Sequence, residues 1–210
     1  MTRQNRVDPW GNLVATDARG LFTGNRGCLV DQRGALVRHH RGSLWITCVL
    51  CFGERRHPLA APGIWTPVFF LDDAVALAAG HRPCGECRRH SYRAYQAAVS
   101  LATGADERLG AGELNRRLAA ERLRRGSGLD RAADRRLWTA DVATLPPGTV
   151  VVLDGDAHLL GGGHVQRFSF AGWGQPTELP TGPVDVLTPP TSVLALGHGF
   201  VPTLHATAIR

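Results

Sequence analysis

Four of the five cysteines fall into two pairs of identical spacing, Cys48-Val-Leu-Cys51 and Cys84-Gly-Glu-Cys87. A CxxC turn brings two thiolates close enough to share one metal and aims backbone N–H groups at the sulfurs. Two such pairs at a loop-sized separation supply the four soft ligands of a tetrahedral zinc site. Zinc binding in small sites is worth roughly 10–16 kcal/mol, against a typical domain stability of about 5–15 kcal/mol. Such a site would decide whether the N-terminal half folds. The competing reading is that Cys48 and Cys51 are small buried hydrophobes in a strand. A regular strand puts residues three apart on opposite faces, so a shared metal requires a break at Val49-Leu50. Cys28 is left over beside a Gly-rich turn, as a packed thiol.

Those thiols sit in an unevenly charged chain of 210 residues. All 24 basic residues are arginine. Before residue 137 there are 22 arginines against 13 carboxylates, a formal +9; from 137 onward there are 2 against 5, a formal −3. A positive field concentrated on one part of a protein attracts polyanions. The candidate phosphate contacts are Arg82, Arg88, Arg89, Arg93, Arg116, Arg117, Arg122, Arg124 and Arg125. The plainer reading places them on solvated helix faces. Apolar residues make up 43%, enough for a real core. The polar N-terminus lacks the apolar stretch of a signal peptide, and the longest apolar runs are too short to span a bilayer. The expected location is the cytoplasm, where thiols stay reduced.

The elements that must position these residues follow from pattern. Leu44–Phe52 and Thr66–Leu71 are expected strands. Asp72 is an expected N-cap for a short helix over Asp73–Ala79, ended by Gly80. The turn at Pro83–Cys87 leads into a helix from Arg88 to about Ala102, and Glu113–Arg125 forms an Arg-rich helix. Strands are expected at Thr149–Leu153, His158–Leu160, Val165–Phe170 and Val184–Leu187, with a short helix at Val193–Leu196. The class is α+β, divided as a zinc-stapled domain over 1–102, an Arg-rich helical connector over 103–139, and a small β-rich part over 140–210.

The stretch Thr66–Arg89, with Ala74–Gly80, Arg82, Pro83, Cys84 and Cys87 at matching positions, resembles the zinc-binding N-terminal domain of Ada, the bacterial protein that repairs DNA methylphosphotriesters. Leu44–Cys48 is similar to that family's strand ending in its first cysteine ligand. The resemblance covers residues 44 to 89 and implies one zinc held by Cys48, Cys51, Cys84 and Cys87, DNA as partner, and Cys48 as a methyl acceptor. The family usually has three residues between its first two cysteines, and this chain has two. Residues 100–210 carry neither a helix-turn-helix segment nor an alkylguanine methyltransferase motif.

The sequence thus supports a zinc-binding, nucleic-acid-associated protein, with DNA ahead of RNA and a role in DNA repair or its regulation. An enzyme acting on DNA, RNA or a nucleotide is the alternative, by methyl transfer to Cys48, base excision or deaminase-like chemistry. Pro83–Cys87 fits the second half of the zinc deaminase signature, but the upstream His57 is followed two residues later by Leu59 where that chemistry needs Glu. Asp154, Asp156 and His158 form a further carboxylate-rich turn, most simply a solvated hairpin. His81, beside the second CxxC, is placed to donate to a thiolate.

Overall fold

The computed structural model describes residues 2–54 and 58–209. His57 therefore lies outside the described residues. The fold is mixed α+β, with four α-helices and two six-stranded sheets among the described residues. No helix there is long and apolar enough to cross a membrane.

The first sheet is mixed and has the order β2-β1-β5-β3-β4-β6. Its strands are β1 (Gln4–Val7), β2 (Leu13–Ala15), β3 (Phe22–Asn25), β4 (Ile46–Val49), β5 (Val68–Phe70) and β6 (Arg82–Pro83). β4 pairs antiparallel with β3 and parallel with the short β6. That parallel pairing continues into a hydrogen bond from the Cys84 N–H to the Thr47 carbonyl, 2.9 Å. It brings the second CxxC turn against the end of the strand that carries Cys48.

The crossover between β5 and β6 is α1 (Asp73–Ala78), every residue of which is buried. Its start and stop follow the expected chemistry. Asp72 accepts from the Val75 N–H at 3.1 Å. At the other end Gly80 adopts φ +83, and the N–H groups of Gly80 and His81 close onto the carbonyls of Leu77 and Ala76. This paired closure satisfies the helix's last carbonyls through a left-handed residue. A helix apolar all round must be enclosed, and α1 lies in a core fed by both halves of the chain. Val68, Phe70, Ala74 and Val75 share that core with Val150, Leu159, Trp173 and Leu187.

α2 (Arg89–Ala102) and α3 (Ala111–Arg122) follow. The second sheet, order β11-β10-β9-β8-β12-β7, is antiparallel throughout. It consists of β7 (Trp138–Asp141), β8 (Val150–Leu153), β9 (Asp156–Leu160), β10 (His164–Ser169), β11 (Gly172–Glu178) and β12 (Pro183–Val186). Within β8, Val150 faces the shared core and Val151 a separate cluster with Leu160, Val165 and Val186. Asp154 and Gly155, both at positive φ, make the tight turn between β8 and β9, as the Asp-Gly dipeptide demands. The last helix, α4 (Pro190–Gly197), packs on α2, where Tyr95 Oη and Ser192 Oγ lie 2.9 Å apart.

Candidate metal centre

Three of the four expected ligands come together. The Sγ atoms of Cys48, Cys84 and Cys87 all lie within 4.8 Å of one another. Tetrahedral zinc with Zn–S bonds of about 2.3 Å sets its sulfurs about 3.8 Å apart, so the group is already near ligating geometry. Cys48 sits in β4 opposite Thr23. Cys84 follows β6, and Cys87 precedes α2 by two residues. β4 ends at Val49, the break that a shared metal requires. Cys51 lies beyond it, exposed and outside the group of three.

The backbone prepares this place for negative sulfur. Cys84 Sγ accepts from the N–H of Glu86 at 3.4 Å, and the nearby backbone N–H groups of Cys87 and Val49 favour the thiolate forms of Cys84 and Cys87. The Cys48 thiol donates to Cys84, which draws the Cys84 pKa down to about 5. That same shared proton, then burial, pushes Cys48 up. Burial and the neighbouring Cys84 raise Cys87. Each sulfur added beside another makes a cation between them more favourable.

A pocket of about 330 Å³ opens directly on the thiols. Cys48, Cys84 and Cys87 form one side. Trp65, Phe69, Phe52 and Leu59 supply an apolar wall, and Asn25 and Glu86 supply polar groups. Cys48 is thus half-buried and lines a cavity.

The arginines expected at a nucleic-acid surface divide into two kinds. Arg82, Arg88 and Arg122 are buried and engaged by the protein itself. Arg82 bonds Asn115 Oδ1 at 2.9 Å and lies 5.0 Å over the Tyr92 ring. Arg88 pairs with Asp73. Arg122 donates to the carbonyls of Gly80 and Ser43 and lies 3.7 Å over Trp45. Arg89, Arg93, Arg116, Arg124 and Arg125 are exposed. Arg116 and the half-buried Arg117 share the carboxylate of Glu113. Spacing along a helix could not separate these kinds, because the partners come from Asp73, Asn115 and Trp45, distant in sequence.

His81 takes a different role from the one its position suggested. It is buried against Trp45 and Phe70, with Nε2 facing Arg26 Nε at 3.2 Å. Arg26, which the sequence offers only within Asn25–Cys28 as a candidate segment for an enzyme site, surrounds it together with His39 and Trp45, which no motif marks.

Compared with protein-family models, with curated proteins and with solved structures, the chain matches none.

Proposed function

We propose that this protein binds one zinc ion through Cys48, Cys51, Cys84 and Cys87 and associates with nucleic acid beside that centre, DNA first and RNA second. The observation that carries the reading is the convergence of three thiols from two separate chain segments to within 4.8 Å. Cys51, two residues beyond β4, is the fourth ligand in this reading, and residues 50–51 would have to turn toward the group for it to join. Bound zinc would hold the sulfurs as thiolates and tie β4 to the start of α2. Arg89 and Arg93, exposed on the first turns of α2, then stand next to the centre as phosphate contacts. A role in DNA repair or its regulation rests on the Ada-like run from Thr66 to Arg89. Elemental analysis of the purified chain, joined to anisotropy with DNA and RNA, tests both parts. A fully folded, metal-free protein would sink the first.

A second reading treats the chain as an enzyme and is favoured by one feature: Cys48 lines an open pocket. There its sulfur, held as the thiolate that a bound zinc would favour once the thiol proton has left to solvent, would attack the methyl carbon of a DNA methylphosphotriester. The C–S bond forms as the C–O bond breaks, and the phosphodiester leaves as the anion. Mass spectrometry after incubation with such DNA reads the result, one added methyl group on Cys48 or an unmodified chain.

A further inference from the structure

At its C-terminal end, α3 meets residues 40–43 and 123–131 around a second pocket, of about 320 Å³. Its walls include His40, Ser43, Arg122, Arg124, Arg125 and Arg131, and none of its lining residues carries a carboxylate. One of its arginines has an acidic partner among the described residues. Asp134 pairs with Arg131, Nε–Oδ2 2.6 Å. It crowds Gly126 so closely that a Cβ there would lie 2.3 Å from its carboxylate oxygen. Among the described residues these four guanidinium groups have one ion pair, Arg131 with Asp134. A helix C-terminus carries about half a negative charge and is answered by a single cation. The last carbonyls are occupied as well: that of Arg122 accepts from Arg135 Nη1 and from the Arg136 N–H. Neither the helix end nor the one acid accounts for the surplus.

The cations are held in place. Arg122 is fixed against Trp45, with its Nη atoms on Gly80 and Ser43. Arg131 donates to the Arg124 carbonyl at 2.9 Å. Arg26 is fully buried and lies over the same Trp45 ring at 4.5 Å; its Nη2 has no hydrogen-bond partner among the described residues. Burial, then Arg26, lowers the pKa of both His39 and His81. Arg26 and Arg122 behind the pocket, offset in part by the Asp8 carboxylate near Arg26, add positive potential to it. Arg124 and Arg125 project into solvent at the pocket, free of carboxylate partners among the described residues. Paired guanidinium forks match the oxygens of a tetrahedral dianion.

We propose that this pocket binds a terminal phosphoryl group, with Arg124 and Arg125 as closing forks beside His40, and with the already engaged Arg122 and Arg131 beneath supplying charge rather than direct contacts. The group is inorganic phosphate or the phosphomonoester end of a polynucleotide. The site is separate from the cysteines and stands without the zinc reading.

The full chain is titrated with inorganic phosphate by calorimetry. It is also titrated, by anisotropy, with one single-stranded oligonucleotide bearing either a 5′-phosphate or a 5′-hydroxyl. Arg124→Gln/Arg125→Gln removes the forks. Arg19→Gln/Arg108→Gln removes the same charge from exposed positions elsewhere. The expected result is one phosphate per chain, weakened about tenfold or more in the fork variant and changed by about twofold at most in the control. Preference for the 5′-phosphate in the parent chain identifies a polynucleotide end as the source. Equal oligonucleotide binding alongside phosphate binding identifies a small phosphate. Binding of neither probe, or equal losses in the two variants, overturns the proposal. Melting curves of both variants confirm that each is folded.

Discussion

Arg88 grips Asp73 through two hydrogen bonds, Nη1–Oδ1 at 2.6 Å and Nη2–Oδ2 at 2.8 Å, with the side chains only 4% and 2% exposed. The same Nη1 reaches Thr47 Oγ1 at 2.8 Å, and the guanidinium lies 3.8 Å over the Phe22 ring. Thr47 precedes Cys48, Arg88 follows Cys87, and Asp73 opens α1. One side chain thus ties together both cysteine segments and the buried helix.

Removing one partner of such a pair strands a buried charge, at a cost of about 3–5 kcal/mol. Arg88→Met is therefore expected to lower the melting temperature by about 6–20 °C, since each kcal/mol moves a chain of this size by about 2–4 °C. Arg88→Lys restores the charge without the planar fork and should recover only part of the loss. Thermal melts of the three proteins decide it. Arg88→Met melting with the parent would show that the pair contributes nothing.

How much of this was legible in the sequence depends on range. Asp72, Gly80 and the Asp154-Gly155 turn announce themselves because their chemistry is local: a carboxylate facing free N–H groups, and backbone at positive φ. The two CxxC pairs are legible for the same reason. Strands β7 and β11 were passed over. β7 alternates only weakly, and β11 carries two glycines and a proline, so their pairing partners rather than their propensities define them. A division at residue 140 separates the expected β-rich part from what precedes it, and the structure places Trp173 and Leu187 in the same core as Val68 and Ala74. The fates of Arg82, Arg88 and Arg122 were illegible because a buried arginine and a solvated one look alike until the partner across the fold is known.

That shared core makes a thermodynamic prediction. Trp173 Nε1 donates to Asp72 Oδ2 at 2.7 Å, so a strand of the second sheet holds the cap of the first sheet's helix. The two halves should unfold in one calorimetric transition. Trp173→Phe should lower that single transition, by about 1–3 kcal/mol for a buried acceptor left short of a donor. Two separated transitions, only one of them moved by the substitution, would show halves that fold independently.

The cysteines should differ sharply. Cys84→Ser removes a sulfur from the centre of the group, and zinc content should fall from about one per chain toward none, with a large loss of stability. Cys28→Ser alters only a buried thiol near the Val30 carbonyl; it should keep full zinc and lose about 1 kcal/mol. Cys51→Ser should retain the fold with weakened metal affinity. Elemental analysis and melts on the three variants give the ranking, and equal zinc in all of them would reject the ligand assignment.

Acid should destabilise the protein through its neutral histidines. Burial, then Arg122 and Arg131, hold His40 down to about 4, and burial with Arg26 depresses His39 as well. In the unfolded chain both titrate near 6.5. Between pH 6.5 and 4 the unfolded state binds more protons, so stability rises with pH there. The contribution is fully present above about 6.5 and drains away as pH falls toward the folded values. Melting temperature in phosphate-free buffer should drop from pH 7 to 5, and His40→Gln should flatten the slope. Loss of metal in acid would also lower stability, but His40→Gln touches no thiol. An unchanged slope in that variant would assign the effect elsewhere.

The last prediction concerns which arginines meet nucleic acid. Guanidinium groups already spent on Asp73, Asn115 and backbone carbonyls have little left for phosphate, which removes Arg88, Arg82 and Arg122 from direct contact. Arg116 and Arg117 are partly neutralised by Glu113, and exposed pairs of that sort break at little expense. Arg89 and Arg93, one turn apart at the start of α2, are exposed without a carboxylate partner among the described residues, and are the contacts the proposed interface would use. Each phosphate neutralised releases counterions and contributes about 0.9 to the slope of log K against log salt on duplex DNA. Arg89→Gln/Arg93→Gln should therefore weaken binding across all sequences alike and reduce that slope by about 2. Arg82→Gln should act differently. It loosens the join of β6 to α3 and lowers the melting temperature, while the slope measured on the folded fraction stays put. Anisotropy at several salt concentrations supplies the slopes. An unchanged slope in Arg89→Gln/Arg93→Gln, with parent-like affinity, would move the interface away from the metal centre.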